Sequence, residues 1–150
     1  MRDAYRLADQ ASFGATETLV ADIRTQGRAA WIAAQMGISA SRYTAGNGDA
    51  IHKNASNTFF CDLPAYSGTN CWRDWFSSQP LVWDFYRNAV GGADQLRQRV
   101  AYALSQIFVI SDNISAISGA NEGSSSYYDM LARNSFGTFR QLLYDVTRHP

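Results

Sequence analysis

The stretch from Asp94 to Ile110 constrains the fold more than any other part of the chain. At about 100° per residue, Leu96, Val100, Ala103, Leu104, Ile107, Phe108 and Ile110 fall within one broad apolar face. Asp94 stands where an N-cap belongs. The pattern predicts a helix over Gln95 to Ile110, buried as a central rod. Shorter helical patterns lie on both sides of it. Asp3 to Ser12 carries Ala4, Leu7, Ala8 and Ala11, and Gly14 is the expected left-handed stop. Thr16 caps a second helix through Leu19, Val20 and Ile23, which Gly27 closes. Ala29 to Met36 forms a third, stopped by Gly37, and Pro80 opens a helix over Leu81 to Val90 that Gly91-Gly92 ends. After a serine-rich loop from Ser111 to Ser126, Tyr127, Tyr128, Met130 and Leu131 mark another helix. Thr138-Phe139-Arg140-Gln141 reads as a capping box before a last helix with Phe139, Leu142, Leu143 and Val146 inward. No two-residue alternation is long enough for a sheet. The expected fold is all-α, a multi-helix orthogonal bundle forming one partial domain over residues 1–150.

Residues 38–79 interrupt these patterns with Gly, Asn, Ser and Thr, and Asn47-Gly48 signals a turn. So long an irregular stretch in a compact domain marks a binding loop or an insertion. Its aromatics, Phe59, Phe60, Tyr66, Trp72, Trp75 and Phe76, require it to pack on something. Cys61 and Cys71 flank a Pro and a Gly-Thr-Asn, a segment suited to folding back. A disulfide there is the expectation, and two unrelated buried thiols are the alternative. The spacing is not that of a zinc knuckle and His52 is the only imidazole nearby, so no metal site is expected.

Charge is balanced, 13 basic residues against 13 acidic. No basic field exists to attract nucleic acid or an anionic membrane. No apolar run approaches the roughly 18 residues of a membrane span, and no apolar segment of signal-peptide type follows Met1. The chain opens straight into one helical pattern and reaches Pro150 inside another. Both ends therefore read as interior to a longer protein, whose C-terminal part is the expected partner of apolar faces left uncovered here.

Three stretches resemble the domain of unknown function 1800 family of large bacterial proteins. They are Leu7-Ala8-Asp9-Gln10-Ala11-Ser12-Phe13-Gly14-Ala15-Thr16, the run from Asp94 to Ser111, and the run from Asn134 to Pro150. In the first, Ala15 stands where the family has Pro. The resemblance implies the N-terminal part of a chain several hundred residues long and often exported. Secreted or periplasmic placement agrees with a disulfide. The family's Asn-Glu-Asn-x-x-Arg-Glu helix lies beyond Pro150. A branch with Trp-His-Asn-His-Phe near Ala103 to Ile107 finds no His here, which removes the basis for a metal or haem role.

Arg97 and Arg99 flank the apolar face of the 94–110 helix, with Tyr102 and Gln106 on the Arg99 side. These four form the candidate polar cleft, able to bind an anionic group or to pair with carboxylates; structural salt bridges are the plainer account. His52 and His149 lack partners at ligand spacing. Asp62, Asp74 and Asp84 offer carboxylates, but nothing pairs two of them as acid and base. Trp72, Trp75 and Trp83 are suited either to stacking on a carbohydrate or peptide or to packing around the disulfide. No nucleophile elbow, phosphate loop or His-Glu-x-x-His helix occurs. Two functions follow. One is a non-catalytic envelope or extracellular interaction or scaffold module with an envelope protein as partner. The other is the N-terminal part of an exported hydrolytic or redox enzyme, completed by C-terminal helices. No cofactor is indicated.

Overall fold

The computed structural model describes residues 2–43, 60–75, 78–111 and 121–149, and among them every regular element is helical. The helices are α1 (Arg2–Ala11), α2 (Glu17–Gln26), α3 (Arg28–Gly37), α4 (Cys71–Trp75), α5 (Gln79–Gly91), α6 (Gln95–Ser105), α7 (Asn121–Asn134) and α8 (Phe139–Arg148). Two 3-10 turns, Phe60–Asp62 and Pro64–Tyr66, precede α4. The all-α expectation holds. Asn47-Gly48, His52, Phe59 and Phe76 lie outside the described residues, as do the side chains of Phe60, Asp74 and Trp75.

Small residues bring the N-terminal helices together. Ala4, Ala8 and Ala11 recur at helical spacing, are buried, and let α1 pack closely on α2 and α6. The turn after α1 is built differently from the expectation. Gly14 is not left-handed; among the described glycines only Gly27 and Gly68 have positive φ. Ser12 makes the turn instead, its Oγ 2.6 Å from the Ala8 carbonyl while accepting the Gly14 N–H at 3.2 Å. Thr16 caps α2 as expected, its Oγ1 accepting from Leu19 N–H at 3.2 Å. Gly27, at φ 84°, both ends α2 and starts α3, a conformation that costs a residue with a Cβ about 1 kcal/mol or more.

Two apolar clusters result. The first joins Ala4, Ala8, Ala11, Val20, Ile23 and Trp31, with Leu96 of α6 packed against it. The second joins Ala101, Tyr127, Met130, Leu131, Ala132 and Leu142, with Leu104 and Phe108 alongside. Helix α6 contributes to both and packs against α1, α3, α5 and α7, so it is the central rod.

Its details differ from expectation in three ways. It ends at Ser105, where the Gln106 and Ile107 N–H groups bond three residues back, to the Ala103 and Leu104 carbonyls; Ile107 and Val109 are then 70% and 73% exposed. Its deepest residues are Gln98, Ala101 and Ser105 rather than the leucines and valines, which are divided between neighbours on different sides. Asp94 makes no side-chain cap bond.

The serine-rich segment is helical from Asn121 on. Ser124 and Ser125 are small enough to be buried there, and packing outweighs their weak helix propensity. Only half of the Thr138 capping box forms. Thr138 Oγ1 accepts the Gln141 N–H, but the Gln141 amide donates to Asp145 Oδ1 at 2.7 Å instead of reaching back. Of the four residues expected inward on α8, Leu142 is buried and Val146 half-buried; Phe139 is 66% exposed and Leu143 is also exposed.

Cys61 and Cys71 form the disulfide across a turn that needs Gly68 at φ 75°. Both cysteines are buried beside α4. On the chain-entropy account a loop this short contributes about 2.5–3 kcal/mol. Replacing both cysteines by serine in the full-length protein should lower the unfolding free energy by that amount in urea titration. A loss under about 0.5 kcal/mol would mean the loop is ordered without its crosslink.

Candidate functional site

Between the two apolar clusters lies a buried polar seam. Gly92 makes it possible, because a Cβ there would stand 2.5 Å from the Asn88 carbonyl oxygen and 3.3 Å from Asp94 Oδ1. Without that Cβ the turn from α5 into α6 closes tightly and drives Asp94 fully inside, at 0% exposure. The Asp94 carboxylate accepts from Ser41 N–H at 2.9 Å, from Ser41 Oγ–H at 2.6 Å and from the Gln98 amide at 2.9 Å. The same amide also donates to the Ser41 carbonyl. Three donors and no described cation hold this charge.

With Asp94 committed to Ser41 and Gln98, another residue serves the start of α6. Gln35 of α3 accepts the Leu96 N–H at 3.2 Å and donates to the Ala93 carbonyl at 3.2 Å, capping α6 from a neighbouring helix. Gln95 bridges back to the carbonyls of Asn88 and Gly92.

The rest of the seam clamps residues 41–43. Asp129 of α7 accepts the Tyr43 N–H at 2.7 Å and pairs with Arg42. Asp84 of α5, also buried, pairs with Arg87, whose guanidinium donates to the Arg42 carbonyl. Burial pushes the Tyr43 phenol well above its ordinary value, and Tyr128, Asp129, Asp84 and Asp94 add to the rise. Tyr43 is therefore neutral throughout the physiological range. Asn88 Nδ2, Gln98 Oε1 and Ser125 Oγ are buried without a hydrogen-bond partner.

The four residues of the candidate polar cleft separate. Arg97 turns to α3 and α7, donating to the carbonyls of Met36, Ile38 and Ala132, with its guanidinium 4.6 Å from the Phe136 ring centre. Arg99 lies over Phe13 at 5.4 Å and Tyr102 at 5.9 Å, and Tyr102 also packs on Phe85. Gln106 follows the end of the helix and bonds to Ser105. Arg99 and Tyr102 are thus brought together, Arg97 is elsewhere, and Gln106 is exposed. His149 sits 3.0 Å from Ser126 Oγ with its ring against Tyr127. Asp62, Trp72 and Trp83 are exposed. Among the described residues no group of carboxylates, imidazoles or thiols could hold a metal ion.

Ser41, Tyr43, Asn88, Gln98 and Asp129 were not singled out by sequence reasoning. A signal was present in part. Asp94, Gln98, Ala101 and Ser105 follow one helical stripe, and Asp84/Asn88 and Ser125/Asp129 are each one turn apart within aromatic-rich helices.

On the far side of Tyr43 the seam meets an aromatic cavity of about 220 Å³. Its rings are Tyr43, Phe85, Tyr86, Tyr102 and Tyr128, from α5, α6, α7 and the clamped segment.

The family described as "Protein of unknown function (DUF1800)" matches residues 6–150. The chain belongs to this family. No curated protein and no solved structure matches it. In this DUF1800 chain the match takes in the whole of the seam, the disulfide and the aromatic cavity. No helix among its described residues is long and apolar enough to cross a membrane.

Proposed function

We propose that the chain is one helical domain, with residues 38–79 as an excursion that carries the short helix α4, in an exported bacterial protein, and that it is a non-catalytic envelope or extracellular interaction or scaffold module. The observation that carries this reading is the distribution of side chains. Asp84, Asp94, Asp129 and Arg97 are engaged in binding helices and loop to one another. Large apolar side chains, Ile107, Val109, Phe139 and Tyr144, stand exposed. The disulfide supports an oxidising compartment.

The test uses the full-length protein in its own cells, with a photo-crosslinking residue at Ile107, at Phe139 or, as control, at exposed Glu17. The expected result is an oxidised protein in the envelope or medium and a discrete crosslinked envelope partner from the first two positions only. A reduced cytoplasmic protein, or equal crosslinking from all three, would refute the proposal.

A second reading is an exported hydrolytic or redox enzyme completed by helices beyond this chain, with Arg97, Arg99, Tyr102 and Gln106 bordering its site. It draws on the buried, unpartnered Asn88 Nδ2, Gln98 Oε1 and Ser125 Oγ, since a buried polar atom without a partner calls for an explanation and a catalytic role is one.

A further inference from the structure

The aromatic cavity has a defined chemistry. Five rings from four separate elements face one space of about 220 Å³, below the roughly 300–1,000 Å³ of pockets that take drug-sized ligands. Leu81 and Val82 complete a lining with no charged side chain. Such a wall offers several π faces to a compact group entering from the open side.

The charge behind the wall selects among compact ligands. Tyr43 is bonded to Asp129 through its N–H and belongs to the segment that Asp94 holds through Ser41. Two of the three surrounding carboxylates have guanidinium partners, Asp84 with Arg87 and Asp129 with Arg42. Asp94 is held by neutral donors, so its carboxylate lies behind the Tyr43 face with no described guanidinium paired to it. Low-dielectric surroundings strengthen that field.

The rings also show what they attract. Arg99 lies over Tyr102 and Phe13, a cation on aromatic faces at the edge of the same cluster. No described cation lies over Tyr43, Phe85, Tyr86 or Tyr128. Aromatic cages of this kind recognise quaternary and methylated ammonium groups, which are weakly hydrated and fit against several faces at once.

We propose that the cavity ringed by Tyr43, Phe85, Tyr86, Tyr102 and Tyr128 binds a compact organic cation of the methylated-ammonium class. The proposal is independent of the interaction-module reading.

The test is calorimetric and NMR titration of the full-length protein with choline and with its neutral carbon isostere, 3,3-dimethylbutan-1-ol. Choline should bind saturably and about tenfold more tightly than the isostere. Tyr86 is 62% exposed, so its substitution spares the fold, as circular dichroism would verify. Tyr86→Leu should weaken choline binding about fivefold or more, and Tyr86→Phe, which keeps the ring, should leave it within about twofold. Equal affinity for choline and the isostere would make the cavity an apolar hole and overturn the proposal. So would no binding of choline, or binding that Tyr86→Leu leaves unchanged. Phosphatidylcholine vesicles present the same headgroup. Co-sedimentation that choline competes away would support the proposal with lipid as the source, and binding of free choline alone would support it with a solute as the source.

Discussion

Asp94→Ala lowers the unfolding free energy of the full-length protein by about 4 kcal/mol and its thermal midpoint by about 10 °C. The substitution removes the acceptor for the Ser41 N–H, the Ser41 hydroxyl and the Gln98 amide at once. Each stranded buried donor costs about 1–3 kcal/mol, reduced where the site relaxes. Asp94→Asn keeps one acceptor oxygen but sets an amide N–H₂ against donors, so its loss is intermediate. A double-mutant cycle with Ser41→Ala should give a coupling of at least about 1 kcal/mol, since the two residues share bonds. Urea unfolding of the four proteins measures all of this. Wild-type stability in Asp94→Ala would mean the seam does not hold residues 41–43 in place.

Leu131→Ala should cost about 3 kcal/mol. Leu131 has 0% exposure at the centre of the second apolar cluster, between Met130 and Ala132 and against Leu142. Truncation loses the transfer energy of the removed carbons and leaves a cavity that packed helices close only in part. Leu143→Ala, one position past Leu142 but 38% exposed, should cost under about 1 kcal/mol. Equal losses for the two would show that α8 packs with a different face inward. The comparison therefore tests the orientation of α8 as well as the core.

Helix positions were legible because they depend on local chemistry. Thr16, Gly27, Pro80 and Thr138 act within one turn of themselves, and each stands at a helix boundary. Burial was legible only where one neighbour decides it. On α1 and α2 the apolar stripe meets one cluster, and Ala4, Ala8, Val20 and Ile23 are inside it. On α6 the apolar face is shared among several neighbours; the deepest stripe carries Gln98, whose partner is Ser41, and the backbone beside it is met by Gln35 of α3 and by Ser135 just past α7. Those partners come from 35 to 61 residues away, beyond the reach of a periodicity argument. The same distance explains Asp94. Its position reads as a cap, and its function as a buried anchor appears only once Ser41 is beside it. The Arg97/Arg99/Tyr102/Gln106 grouping came from one helix drawn in isolation, whereas Arg97 finds its carbonyls on α3 and α7.

Apolar contacts are non-directional, so the two clusters fix the axial position of α6 less sharply than its polar partners do. A buried carboxylate is not indifferent to that position. Moving α6 by one turn, about 5.4 Å, would carry Asp94 away from both Ser41 donors and leave it only Gln98, which travels on the same helix, so a buried charge would lose two of its three hydrogen bonds. The seam thus works as a locating pin through the middle of the molecule.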